Sequence, residues 1–135
     1  MLGVEDDARY EAAETAYRAA ASQPNAAVDL VLQAEYKIGR CLQKQNRPDD
    51  AVDQFYRGVV VRYLEERTRN STLGEPARIW FGRAARDAAD LLEERGEWRK
   101  VVSLLERAVS AGAPDEAGLQ TRIATIRSQH WWLFY

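Results

Sequence analysis

Pro48, Pro76 and Pro114 each stand at the head of a stretch whose apolar residues recur three and four apart. No other feature narrows the possible folds as much. Proline has no amide hydrogen to donate, so the first turn of a helix is the one helical place where it costs nothing. Apolar residues at this spacing line one face of a helix, because successive residues advance by about 100° around its axis. Breakers fall at "SQPN" (Ser22 to Asn25), "QNRP" (Gln45 to Pro48), "TRNSTLGEP" (Thr68 to Pro76), "RGE" (Arg95 to Glu97) and "AGAP" (Ala111 to Pro114). The segments between them are rich in Ala, Leu, Glu, Arg and Gln, all good helix formers. The expectation is an all-α protein of about six helices in antiparallel pairs, with Gly112 where a left-handed C-terminal cap is wanted.

One segment resists that pattern. "GVVVRYL" (Gly58 to Leu64) has the β-branched density of a strand. Helix is expected all the same, since Ala51, Phe55, Gly58 and Arg62 continue the helical period and no second strand exists to pair with it.

The helices carry a repeat. Tyr10, Ala13, Tyr17 and Ala20 share their spacing with Pro48, Ala51, Phe55 and Gly58, and again with Trp98, Val101, Leu105 and Ala108. Small residues bracket a large one along one stripe, so a neighbouring helix can approach while the large side chain fills the gap. A second element precedes the later two segments: Glu35, Ile38, Gly39 and Leu42 followed by Asn46, and Ala85, Ala88, Ala89 and Leu92 followed by Gly96.

With these residues in place the chain resembles the tetratricopeptide repeat (TPR) family, whose pattern runs W-x2-L-G-x2-Y, then A-x3-F, then often P. "AEYKIGRCLQKQNRPDDAVDQFYRG" carries the resemblance: Ile38, Gly39, Leu42, Ala51 and Phe55 fall at the family's spacing. The chain departs from it at Glu35, where the family favours Trp, and at Tyr63, where it favours Pro. Residues 26–67 form the best-matching repeat, 76–112 a degenerate one, 9–23 the second helix of a partial one, and 114–130 a capping helix. The spacing is irregular: 38 residues from Ala13 to Ala51 and 50 from Ala51 to Val101, against about 34 in the family. The extra length is expected at Glu66 to Glu75. The resemblance implies a short α-solenoid, and the orphan helix at its start implies the C-terminal part of a longer array.

Composition excludes several classes of function. One cysteine, Cys41, and one histidine, His130, cannot build a Cys/His zinc cluster. No nucleophile with its base and no pair of pocketed carboxylates is visible, so neither catalysis nor a cofactor is expected. Cys41 beside Leu42 reads as a buried structural thiol, and His130 as a packed ring or a cation at a helix end. A net charge of −2 lacks the concentrated positive surface that non-specific nucleic-acid binding requires. No apolar run has the length of a membrane span. With an acidic start in "MLGVEDDARY", where a signal peptide would be basic, a cytoplasmic setting is favoured.

A binding surface remains. In the family the first helix of each repeat lines a concave groove that holds an extended peptide or a partner helix. Carried over, that groove would present Gln33, Tyr36, Arg40, Gln43 and Lys44 from one helix and Arg83, Arg86, Asp87 and Asp90 from the next. Arg40, Lys44, Arg83 and Arg86 would grip a carboxylate-rich or phosphorylated segment, with Tyr36 as an apolar contact. A solvated face closed by the pairs Arg83 with Asp87 and Arg86 with Asp90, each four apart, is the competing reading. An alternative function is a nucleic-acid-associated helical module that uses Arg62, Arg67, Arg69, Arg78, Arg83 and Arg86 as phosphate contacts.

The chain closes on "HWWLFY". If Trp131, Trp132, Leu133, Phe134 and Tyr135 continued as helix, their side chains would point all the way round it, and one neighbour could not bury them. Three roles are open for this aromatic tail. It can fold back on its own chain at Trp80, Phe81 or Trp98, cross to a second copy as a homodimer contact, or serve as a linear segment read by another protein.

Overall fold

Pro48 opens a helix at its first position and Pro76 lies in the first turn of another, whereas Pro114 stands outside a helix that starts at Glu116. That helix is capped by Asp115, in the left-handed conformation (φ 61°) with its carboxylate accepting the Gly118 amide at 3.2 Å. The computed structural model describes residues 2–69 and 73–135, and the described chain is helical without strands. Asn70, Ser71 and Thr72 of "TRNSTLGEP" lie outside the described residues.

Among the described residues six helices follow one another. They are α1 (Leu2–Ala21), α2 (Val28–Lys44), α3, α4 (Glu75–Glu94), α5 (Trp98–Ser110) and α6 (Glu116–Gln129), with a single 3-10 turn at Trp131–Leu133. Helix α3 joins three segments, Pro48–Asp53, Gln54–Val61 and Arg62–Arg69, into one continuous run. Helix α1 begins well ahead of the start expected near residue 9, since no proline interrupts the residues before it.

The "GVVVRYL" run is helical, and its turns are wider than those of an α-helix: Gln54–Val61 is a π-helical stretch. β-Branched side chains crowd the preceding turn of an α-helix, and a wider turn relieves that crowding. Val59 and Val60 are both fully buried. The helix does not stop at Tyr63, where the family pattern has proline. It runs on to Arg69, so part of the chain's extra length is helix rather than loop.

Three helices end in the same way. Asn46, Gly96 and Gly112 have φ of 59°, 71° and 81°. Their amides donate to the carbonyls of Gln43, Glu93 and Val109, and the next amides, of Arg47, Glu97 and Ala113, reach back to Leu42, Leu92 and Ala108 at 3.0 Å each. This pair of bonds is the Schellman closure, which satisfies carbonyls that the end of a helix leaves without donors. It reverses the chain after α2, α4 and α5.

Consecutive helices pack on one another, and α4 packs also against α2. Phe55 and Phe81 are wholly buried, and Phe81 stacks on Tyr63 with centroids 4.3 Å apart. Burying one such ring stabilises the fold by about 1.5–3 kcal/mol. Along α4, Ala77, Ala84, Ala85, Ala88 and Ala89 are all buried, and their small side chains let neighbouring helices come close. Among the described residues helix α1 packs chiefly against α2. Glu14 ties it down, accepting from Gln45 of the α2–α3 turn at 2.9 Å and lying 3.8 Å from Arg47.

Candidate functional site

The contact between α2 and α4 brings together residues from the two expected groove helices. Tyr36, halfway along α2, packs between Phe55 and Trp80, with centroids 5.5 and 5.4 Å away. Its hydroxyl donates to Asp87 of α4 at 2.7 Å. Arg40, one turn further along α2, lies 3.9 Å from the same carboxylate and donates to Gln43 at 2.9 Å. The pKa of the Tyr36 hydroxyl is pushed up to about 12, first by partial burial and then by the Asp87 carboxylate that accepts its hydrogen bond. It stays neutral through the physiological range and holds the two helices in register.

Trp80 is the centre of this face. The guanidinium of Arg83 lies over its ring at 5.0 Å and the ammonium of Lys37 at 5.8 Å. Among the described residues, neither cation forms an ion pair with a carboxylate, nor does Lys44 at the exposed end of α2. The face is basic and aromatic. The Asp87 carboxylate beside it is already engaged by Tyr36 and Arg40. Cations held over an indole keep donors to spare for an incoming anion.

The expected groove set divides. Tyr36, Arg40 and Arg83 gather around Trp80 and Asp87, while Arg86 and Asp90 turn to the α5–α6 connection and to α6. Arg86 donates to the Pro114 carbonyl. Asp90 accepts from Arg122 of α6 at 2.7 Å, and Arg122 also holds Glu93 at 2.9 Å. The pairs Arg83 with Asp87 and Arg86 with Asp90, anticipated from their spacing, do not form among the described residues, because each member has a partner on another element or a ring beneath it. Trp80 and Lys37 were not singled out for the groove. Their signal was present in the sequence: Trp80 stands one turn before Arg83, and Lys37 one turn before Arg40.

The alternative arginine set is largely engaged. Arg62 lies 3.7 Å from Glu35, Arg69 lies 3.7 Å from Glu66, and Arg78 donates to Glu75 and to the Gly112 carbonyl. Cys41 is buried, and that burial, with Glu14 nearby, pushes its thiol above the usual range, so thiolate is scarce. Among the described residues, no group of three or more His, Cys, Asp or Glu could hold a metal ion, and no helix is long and apolar enough to cross a membrane.

The aromatic tail bends back at His130, whose ring stacks on Trp98 with centroids 3.9 Å apart. That contact with Trp98 is made by His130, the residue before the tail, and Trp132 meets the His130 ring edge-on at 5.5 Å. Phe81 is inside the core against Tyr63, and Trp80 belongs to the α2–α4 face. Arg99 donates to the Leu133 carbonyl at 2.8 Å, Phe134 packs on the core edge, and the Arg127 guanidinium lies over its ring. Trp131, Trp132 and Tyr135 stay 60%, 57% and 87% exposed.

Comparison with protein-family models, with curated proteins and with solved structures finds no match to this chain.

Proposed function

We propose that the protein is a non-catalytic scaffold, a short α-solenoid of tetratricopeptide-repeat type that binds an acidic peptide segment along the α2–α4 face. The repeat pattern, the packing of α4 on α2 and the identical closures after α2, α4 and α5 support the architecture. One observation carries the binding reading: Lys37 and Arg83 flank the half-buried Trp80 without a carboxylate of their own. A ligand carboxylate gains charge-assisted hydrogen bonds from them while an apolar neighbour in the peptide lies against Tyr36 and Trp80. The exposed Trp131 and Trp132 give the scaffold a second contact, to another copy of the chain.

The test is fluorescence anisotropy with a labelled oligo-glutamate peptide carrying one tryptophan, and with an oligo-lysine peptide of equal length. Only the acidic peptide should bind, more weakly as salt is added. The double variant Lys37→Gln, Arg83→Gln should lose about tenfold or more in affinity, since one charge-assisted bond contributes about 1.5–3 kcal/mol. Equal binding of both peptides, or an unchanged affinity in the double variant, would refute the reading.

A further inference from the structure

On the opposite side of α4 lies an open cleft of about 560 Å³ between α3 and α5. Its floor includes Ala88 and Leu92, which at about 100° per residue lie on the far side of α4 from Arg83, so the cleft is separate from the α2–α4 face. Val52 and Leu104 extend the apolar lining. Four basic side chains line the cleft and only two acidic ones. Both acids are already engaged, Asp49 by Arg95 and Asp53 by Arg57. Lys100 and Arg95 also meet Glu97 at the rim. Arg99 and Arg107 meet no carboxylate among the described residues: Arg99 donates to the Leu133 carbonyl and Arg107 to the Tyr56 hydroxyl.

Arg99, Ser103 and Arg107 are four residues apart on α5 and so form one row along the cleft wall. The row sets two uncompensated guanidinium groups on either side of a hydroxyl, above an apolar floor. We infer that this cleft binds a small amphipathic anion, a flat or chain-like apolar body bearing a carboxylate, sulfonate or phosphate. The body lies on Val52, Leu92 and Leu104. The anionic group takes hydrogen bonds from Arg107 and Ser103, with the Tyr56 hydroxyl behind Arg107 holding its guanidinium in place. The volume is that of sites for small organic ligands, which join mostly apolar walls to a few convergent polar groups. A guanidinium on such a wall favours an anion over a neutral analogue because its donors are planar, fixed and always charged. This site stands independently of the peptide reading.

The experiment titrates the intact chain with 8-anilinonaphthalene-1-sulfonate, an aromatic sulfonate that fluoresces when it leaves water. It uses laurate as a non-fluorescent competitor and lauryl alcohol as its neutral counterpart. Saturable binding at one site is expected, displaced by laurate and not by the alcohol. Two exposed positions give variants that leave the core intact: Arg107→Gln and Ser103→Glu should each weaken the probe about tenfold or more. The control Arg69→Gln, which removes one positive charge elsewhere, should not. Circular dichroism of each variant confirms the fold. The inference fails if Ser103→Glu binds the probe like the parent chain. It fails equally if binding is lost only in Trp131→Ala, Trp132→Ala, which would place the probe on the exposed tail.

Discussion

The ring of Phe55 fills the space that a side chain on Gly39 would occupy, with Cε1, Cδ1 and Cζ all in the path of a built β-carbon. This contact between α2 and α3 turns two letters of a repeat pattern into a packing constraint. Gly39→Ala gains helix propensity of about 1 kcal/mol but overpacks a wholly buried ring, which typically costs about 1–3 kcal/mol. A net loss of stability in urea unfolding is expected, largely restored by combining it with Phe55→Leu, because the smaller side chain clears the space.

Tyr36 links stability to alkaline pH. Its folded pKa, pushed up to about 12, lies above the ordinary 10.0 because burial and Asp87 favour the neutral phenol. The contribution is fully present below the unfolded value and is lost as pH rises through the folded one, in the window from 10.0 to about 12. Tyr36→Phe should flatten the stability profile in that window, and the titration of phenolate absorbance should lose its latest step. At neutral pH the same variant should cost about 1.5–3 kcal/mol, the usual net value of a hydrogen bond to a charged group.

The repeated closures make a matched set. Gly96→Ala and Gly112→Ala place a β-carbon on residues with φ of 71° and 81°, at a cost of about 1–2 kcal/mol each. Asn46→Gly removes a mild strain at φ 59° and should be neutral or stabilising by a few tenths of a kcal/mol. Thermal unfolding of the three variants checks both signs.

Acid should release α1 first. Partial burial raises the Glu14 carboxyl, but hydrogen bonds from Gln45 and Arg18 and the charges of Arg18 and Arg47 outweigh it, leaving the group below the ordinary 4.5. A depressed carboxyl contributes stability above its unfolded pKa and loses it as pH falls through the folded one. Amide-exchange protection in α1 should therefore fall as acid protonates Glu14, ahead of that in α4 and α5. In Glu14→Gln the acid step should vanish.

The tail separates stability from association. Ending the chain at His130 removes the Phe134 packing and the Arg99 to Leu133 bond, a loss of about 1–3 kcal/mol in urea unfolding. Trp131→Ala, Trp132→Ala touches only half-exposed rings and should change stability by less than about 0.5 kcal/mol. Light scattering should nevertheless show less self-association in that double variant than in the parent chain.

Much of this molecule was legible along the chain. The helical period, Pro48 and Pro76 in first turns and Gly112 in its left-handed cap are local matters, and so the helices fall close to where breakers and periodicity put them. Asp115 was not legible as a cap, because its left-handed conformation depends on the turn that Ala113 and Pro114 make before it. The π-helical turns of α3 were missed for a similar reason: the valine run signals crowding, and whether crowding yields a strand or a wider helix depends on what packs against it. At the candidate site Tyr36, Arg40 and Arg83 were expected side by side; Trp80 and Lys37 were not, because only the packing of α4 on α2 brings the Lys37 ammonium over the Trp80 ring.

By itself, then, the sequence determined that the chain is helical, where its turns lie and which stripes of α2, α3 and α5 face inward, since these follow from interactions within about five residues. The stripe of α1, with Ala20 exposed, stays outside the core. Only the tertiary structure decided which group each charged side chain meets. Tyr36 reaches Asp87 across 51 residues of chain, and Asp90 answers to Arg122 rather than to Arg86. Such pairings depend on how α4 is rotated against α2 and α6, and that rotation is settled by the summed packing of whole helix faces, which no single stretch of sequence contains.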